Sequence, residues 1–132
     1  MTGGKSAASP CARSQCPIAN ALDIFGDKWT LLVIRDLLFQ EKHLYGELAG
    51  SDERIPTNIL ADRLKRLTES GLISSEPYQN RPVRRRYSLT PKGKELIPVL
   101  KEIIKWSNKN ITGTNCPPDG FLDLFEKAAK EK

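Results

Sequence analysis

The run IPTNILADRLKRLTESGLISSEPYQNRPVRRRYSLTPKG, from Ile55 to Gly93, changes its hydrophobic period half-way along and so decides the architecture. Up to Ser70 the apolar residues Leu60, Leu64 and Leu67 recur at helical spacing, which predicts a helix over Pro56–Ser70. Pro56 suits its first turn and Gly71 its C′ position, where a left-handed residue ends a helix. From Leu72 the pattern turns to strands, Leu72–Glu76 and Val83–Leu89, joined by a turn containing Tyr78, Gln79, Asn80, Arg81 and Pro82. In the second strand Val83, Arg85, Tyr87 and Leu89 share one face; Arg84, Arg86 and Ser88 share the other. Thr90-Pro91 then restarts a helix, as an N-cap followed by proline at N1.

Upstream, Cys16-Pro17 opens a helix with Ile18, Ala21, Leu22 and Phe25 on one stripe, and Gly26 breaks it. Asp27 serves as N-cap of a helix from Lys28 to about Phe39. There Trp29, Leu32, Val33 and Leu37 point one way and Leu31, Ile34 and Leu38 another, so this helix belongs in the middle of a core. A short helix, Tyr45–Ala49, and a turn, Gly50–Arg54, complete the upstream part. Downstream, the helix from Thr90 to about Asn110 contains Pro98, which bends it. Leu96, Ile97, Val99, Leu100, Ile103, Ile104, Trp106 and Ile111 cover half its circumference. This order predicts a mainly α fold with a small antiparallel β wing, a winged helix-turn-helix. Residues 1–14 read as a disordered N-terminal segment, 15–111 as the domain, and 112–132 as a loop and an amphipathic tail helix beginning at Phe121 that packs on the domain or dimer.

The chain has 132 residues, 39% hydrophobic and 28% charged, which suits one folded domain. Its apolar runs, such as Leu31–Ile34, are too short to cross a bilayer, and the expectation is a cytoplasmic protein. The odd count of cysteines, Cys11, Cys16 and Cys116, argues against a disulfide framework. Those thiols and the lone His43 lack the spacing of a metal site, so no metal or cofactor is expected. Catalysis finds no Gly-rich phosphate loop, no paired metal-ligand motif and a single histidine to act as base. The net charge of +5 is concentrated. Between Pro77 and Lys94 stand Arg81, Arg84, Arg85, Arg86, Lys92 and Lys94 with no acid, so the rest of the chain is close to neutral.

A helix suits the major groove of DNA when one face packs on the protein and the opposite face carries polar side chains. In Pro56–Ser70 the outward residues are Thr57, Asn58, Ala61, Asp62 and Lys65, with Arg63 and Arg66 on the flanks. Asn58 can offer paired hydrogen bonds to adenine, and the basic residues can reach guanine edges or phosphates. So many arginines in one hairpin repel one another unless an anion is near, which suits a wing that clamps the DNA backbone or enters the minor groove. Arg84 and Arg86 are the first choices for phosphate contact; Arg85, on the buried-side face, either joins them or pairs within the protein.

From Cys16 to about Trp106 the chain resembles the HxlR-type regulators, relatives of the MarR-like winged-helix proteins. The resemblance is carried by Cys16-Pro17, Gly26-Asp27-Lys28-Trp29, Leu44-Tyr45-Gly46-Glu47-Leu48, Ile59-Leu60-Ala61-Asp62-Arg63-Leu64, Leu67 through Gly71-Leu72-Ile73, and Tyr87-Ser88-Leu89-Thr90-Pro91-Lys92-Gly93. It implies a bacterial homodimer, commonly a repressor, that binds inverted-repeat operators in double-stranded DNA. The recognition helix would be Pro56–Ser70 and the wing Ser74–Leu89. Local reasoning also favours a dimer: Ile18, Leu22 and Phe25 of the first helix, with Leu100, Ile103, Ile104 and Trp106 of the last long helix, exceed what so small a core can cover. The alternative is that the tail helix, through Phe121, Leu122, Leu124 and Phe125, covers them within one chain.

Cys16 stands at a helix N-terminus, where the helix dipole favours a thiolate. The resemblance implies that this thiol senses an electrophile or oxidant, with Cys11 or Cys116 as candidate partners. The plainer reading is a small apolar residue buried in a dimer interface. Two further alternatives stay open: a small aromatic effector bound between subunits, and a winged-helix adaptor without specific DNA binding.

Overall fold

The computed structural model describes residues 14–80 and 83–114. Their elements run α1 (Pro17–Phe25), α2 (Thr30–Leu38), α3 (Tyr45–Ala49), α4 (Thr57–Glu69), β1 (Ile73–Asn80), β2 (Val83–Leu89), α5 (Pro91–Lys94) and α6 (Ile97–Asn110). This is the mainly helical fold with an antiparallel two-stranded wing that the change of period predicts. Arg81, Cys11, Cys116 and the expected tail helix lie outside the described residues.

The core forms where the helical stripes meet. Val33, Ile34 and Leu37 of α2 pack with Leu48 of α3, Ile55, Leu60, Leu64 and Leu67 of α4, and Leu72 and Ile73 at the start of the wing. Leu31 and Leu38 pack against this cluster from the other side of α2, which is therefore the central helix. Each such side chain contributes roughly 1.5–3 kcal/mol by leaving water. Leu100, counted above with the dimer surface, belongs to this core instead and is only 7% exposed. It lies one turn beyond Ile97, on the face of α6 turned inward, so packing within the chain uses it up.

Three boundaries differ from expectation. Helix α2 begins at Thr30, not Lys28, because Asp27 caps the turn ahead of it: Oδ2 accepts from the N–H groups of Trp29 (3.0 Å) and Thr30 (3.2 Å). Strand β1 continues past Glu76 to Asn80, since Pro77 and Gln79 still pair with Arg85 and Arg84 around a bulge at Tyr78. The proline is tolerated on a two-stranded ribbon because each strand has an edge on which no donor is required. The helix from Thr90 is two helices, α5 and α6, separated at Glu95 and Leu96. Pro98, in the first turn of α6, has no N–H for the carbonyl four residues back, so the ladder stops there.

The junction after α4 is tightly locked. Gly71, at φ +82°, takes the left-handed conformation. Its N–H reaches Thr68 O (3.1 Å) and that of Leu72 reaches Leu67 O (3.0 Å), the two bonds of a Schellman motif. The Thr90 hydroxyl caps α5 by accepting from Gly93 N (3.1 Å) and donates to Gly71 O (2.6 Å). Lys92 Nζ donates to Ser70 O (2.8 Å). The end of α4 and the start of α5 thus hold each other.

Candidate nucleic-acid interface

Helix α4 presents Thr57, Asn58, Ala61, Asp62, Lys65 and Arg66 to solvent, while Leu60, Leu64 and Leu67 are buried beneath them. Its first turn is tied to α3 by Tyr45, whose hydroxyl donates to Thr57 O (3.0 Å). On the other side of Tyr45 rises the wing. A cleft of about 380 Å³ between α4 and the wing is lined by Tyr45, Ala61, Lys65, Thr68, Ser75 and Tyr87. A second, of about 620 Å³, shares Tyr45 and Tyr87 and reaches Tyr78, Arg84 and Arg85. The two clefts meet at Tyr45 and Tyr87, one lying against α4 and the other against the basic strand.

The wing is anchored at its base by the segment before α3. Leu44 pairs antiparallel with Arg86, and Tyr87 N–H donates to His43 O (2.8 Å). The half-buried His43 ring places Nδ1 2.9 Å from Tyr87 O, so it is part of this junction. Glu47 fixes the same segment: its carboxylate accepts from the N–H groups of His43 (2.9 Å) and Leu44 (3.1 Å), which hold it below the usual carboxylate range.

The arginines divide by what they touch. Arg84, Arg85 and Arg86 are all exposed. Arg85 is engaged within the hairpin, donating from Nε to Ser75 Oγ (3.0 Å) and from Nη2 to Ser75 O (3.3 Å). Arg86 stands across from Glu76 in the ladder. Arg63, expected on the DNA-facing flank, turns back into the protein: Nε donates to Asp27 Oδ2 (2.8 Å), and Nη1 to Asp62 Oδ2. Asp62 also faces Arg66 Nη1 at 3.7 Å, so its negative charge on the outward face is offset by two arginines.

With this geometry, a family model described as HxlR-like helix-turn-helix matches residues 24–115. The chain belongs to the HxlR family. An uncharacterised HTH-type transcriptional regulator of Mycobacterium tuberculosis is 33% identical over 101 residues, 76% of this chain and 63% of that relative, so the match spans under two thirds of the relative's length. A structure described as a MarR-family regulator of Porphyromonas gingivalis W83 is 39% identical, with a TM-score of 0.64 over 74% of this chain and 95% of that one. The reduced form of the regulator YodB of Bacillus subtilis is 26% identical, with a TM-score of 0.60 over 77% and 100%. The redox regulator HypR in its oxidised form is 28% identical, with a TM-score of 0.61 over 72% and 97%. The HxlR chain thus carries the family's helix-turn-helix, and the relatives and solved structures it resembles are described as transcriptional regulators.

In the HxlR chain Cys16 is exposed and caps α1, its N–H donating to Ser14 Oγ (3.1 Å). Asn20 Nδ2 donates to both Ser14 O and Cys16 O, fastening the segment on to the helix. No residue of α1 is buried: Ile18 is 70% exposed, Leu22 is exposed and Phe25 half-buried. On α6, Trp106 is 62% exposed, Ile103 is exposed and Ile104 half-buried. Among the described residues no three His, Cys, Asp or Glu side chains could hold a metal, and no helix is long and apolar enough to cross a membrane.

Sequence reasoning missed the roles of Tyr45 and Arg63. Tyr45 carried a signal, since an aromatic beginning a five-residue helix has little core to serve. Arg63 carried none, because its partner lies 36 residues away.

Proposed function

We propose that this protein binds an inverted-repeat operator as a homodimer, α4 reading the major groove and the wing gripping the flanking backbone, and that Cys16 switches the binding. What supports the reading is that the exposed polar face of α4 and the exposed arginines of β2 lie to either side of Tyr45 and Tyr87, where the two clefts meet. Asn58 supplies bidentate hydrogen bonding to adenine, Thr57 and Ala61 fit close to thymine methyls, and Asp62, Lys65 and Arg66 face base edges or phosphates beside them. Arg84 and Arg86 take phosphates, together with Arg81; Arg63 and Arg85, engaged within the protein, support the helix and the hairpin.

The homodimer is supported by the apolar side chains that the described chain leaves in water, Ile18 and Leu22 on α1 and Ile103 and Trp106 on α6. Association across a two-fold axis would bury them and present two α4 helices to successive grooves. Trp106→Asp is expected to yield monomers in sedimentation velocity and to weaken operator binding at least 100-fold, since a buried interface tryptophan is worth about 2 kcal/mol or more on each side. A variant that stays dimeric would remove α6 from the interface.

Cys16 is an exposed thiol on the apolar helix α1, and YodB and HypR, redox states of which are solved, share the fold at 26% and 28% identity. A peroxide oxidises its thiolate to a sulfenic acid, which condenses with a second thiol to a disulfide and releases water; an electrophile alkylates it instead. Either product changes the α1 surface and with it the dimer. The experiment is fluorescence anisotropy on labelled DNA from upstream of the protein's own gene, before and after oxidation, with Cys16→Ser alongside. Selective binding lost on oxidation in the parent, and retained in Cys16→Ser, is the expected result. Selective binding indifferent to oxidation would overturn the switch and favour an aromatic effector between subunits. Equal, weak binding to scrambled DNA in both states would leave an adaptor.

A further inference from the structure

Between the end of α1 and the buried side of α4 lies a small cleft of about 110 Å³, lined by Asp23, Ile24, Thr30, Arg63, Arg66 and Leu67, among others. Arg63, which lines it, is paired with Asp27. Asp27 sits just past Gly26, the C-cap of α1, and is held by every group around it. Its carboxylate accepts from Trp29 N–H, Thr30 N–H, the Thr30 hydroxyl and Arg63 Nε. Thr30 is itself buried, so this anchor does not swing. Burial opposes the charge on Asp27, but the hydrogen bonds from Arg63, Thr30 and Trp29 outweigh it and keep the carboxyl well below the usual range. On the other side, the Arg63 side chain is 17% exposed against 48% for Arg66, and its guanidinium spans from Asp27 to Asp62 on the outer face of α4.

We propose that Asp27 and Arg63 form a clasp through which the α1–α2 turn sets the position of α4, making Arg63 a positioning residue for DNA recognition and not a DNA contact. The inference rests on α4 being the recognition helix. Its physical content is that a guanidinium fork holding two carboxylates fixes both direction and distance, which a hydrophobic contact does not. An arginine committed in this way has its fork turned from the phosphates, while Arg66 one turn edge away remains in water.

The test measures binding of the full-length protein to its operator and to scrambled duplex, over a salt series, for Asp27→Asn, Arg63→Gln, Arg63→Lys and the double variant Asp27→Asn/Arg63→Gln. Asn58→Ala serves as the reference for α4. The clasp predicts that each single variant loses about tenfold in operator affinity, that scrambled-DNA affinity changes less than twofold, and that the salt slope is kept. It further predicts that the double variant is no worse than either single one, because both remove the same link. Arg63→Lys, which keeps the charge but cannot bridge two carboxylates, behaves like Arg63→Gln. If Arg63 instead meets a phosphate, Arg63→Gln weakens operator and scrambled DNA alike, lowers the salt slope by about 0.9 per contact, and Arg63→Lys is near parental; that result overturns the clasp. Silent Asp27→Asn and Arg63→Lys together with a damaging Asn58→Ala would sink the clasp alone. A silent Asn58→Ala beside silent clasp variants would remove α4 as the reader and the clasp with it.

Discussion

Removing Arg84 and Arg86 together, by alanine substitution in both protomers, is expected to weaken operator binding by about 10²–10³-fold at physiological salt and to flatten its salt dependence by about 3 to 4 in slope. On the proposed dimeric reading four phosphate contacts would be lost, each releasing roughly one condensed counterion in the parent complex. The loss should fall almost equally on operator and scrambled DNA, because phosphates carry no sequence. Arg85→Ala is the internal comparison. Its guanidinium is bonded to Ser75 Oγ and Ser75 O, so a smaller effect and a nearly parental slope are expected. Anisotropy titrations over roughly 50–300 mM salt decide it. An unchanged slope in the double variant would place the wing away from the backbone and return the basic charge to a protein partner.

Gly93→Ala is expected to destabilise the fold by about 2–3 kcal/mol, lowering the thermal midpoint by about 10 °C. A Cβ on this buried glycine would stand 2.1 Å from Leu72 O and 3.0 Å from Leu89 Cδ2. Neither neighbour yields easily. Leu72 is buried in the core and its carbonyl already accepts from Thr90 N–H (3.1 Å). The clash would therefore open the lock in which Thr90 and Lys92 hold the carbonyls of Gly71 and Ser70. Urea unfolding of the two proteins measures the difference. Gly46→Ala is the control, since nothing lies within 4 Å of its Cβ and α3 would gain a better helix former; its change should stay below about 1 kcal/mol. A Gly93 variant as stable as the parent would mean that the α4–α5 junction is free to move, contrary to its hydrogen bonding.

The same lock links the two halves of the reading. Helix α4 is held near its middle by Arg63 on Asp27 and at its end by the residues that open α5 and lead into α6. The apolar surfaces proposed for dimerisation lie on α1 and α6, so both fastenings run between those helices and the recognition face.

What the sequence by itself determined is the order of the elements, the inward stripe Leu60, Leu64 and Leu67, the left-handed Gly71 and the concentration of charge in the hairpin. These are local properties: periodicity, capping and turn chemistry depend on residues within a few positions of one another. The division at Glu95–Leu96 was local too, and Pro98 marked it, though as a bend and not a break. Only the tertiary structure decided the rest. Strand β1 reaches Asn80 because β2 is there to pair with it, and Leu100 belongs to the core and not to a partner surface because the fold buries it in the central apolar cluster. Arg63 and Arg66 look alike along the helix, yet one is committed to Asp27 and the other meets only Asp62 on the surface. Arg63 reaches Asp62 beside it in the chain and also Asp27, 36 residues away, and only the fold brings that second carboxylate within reach.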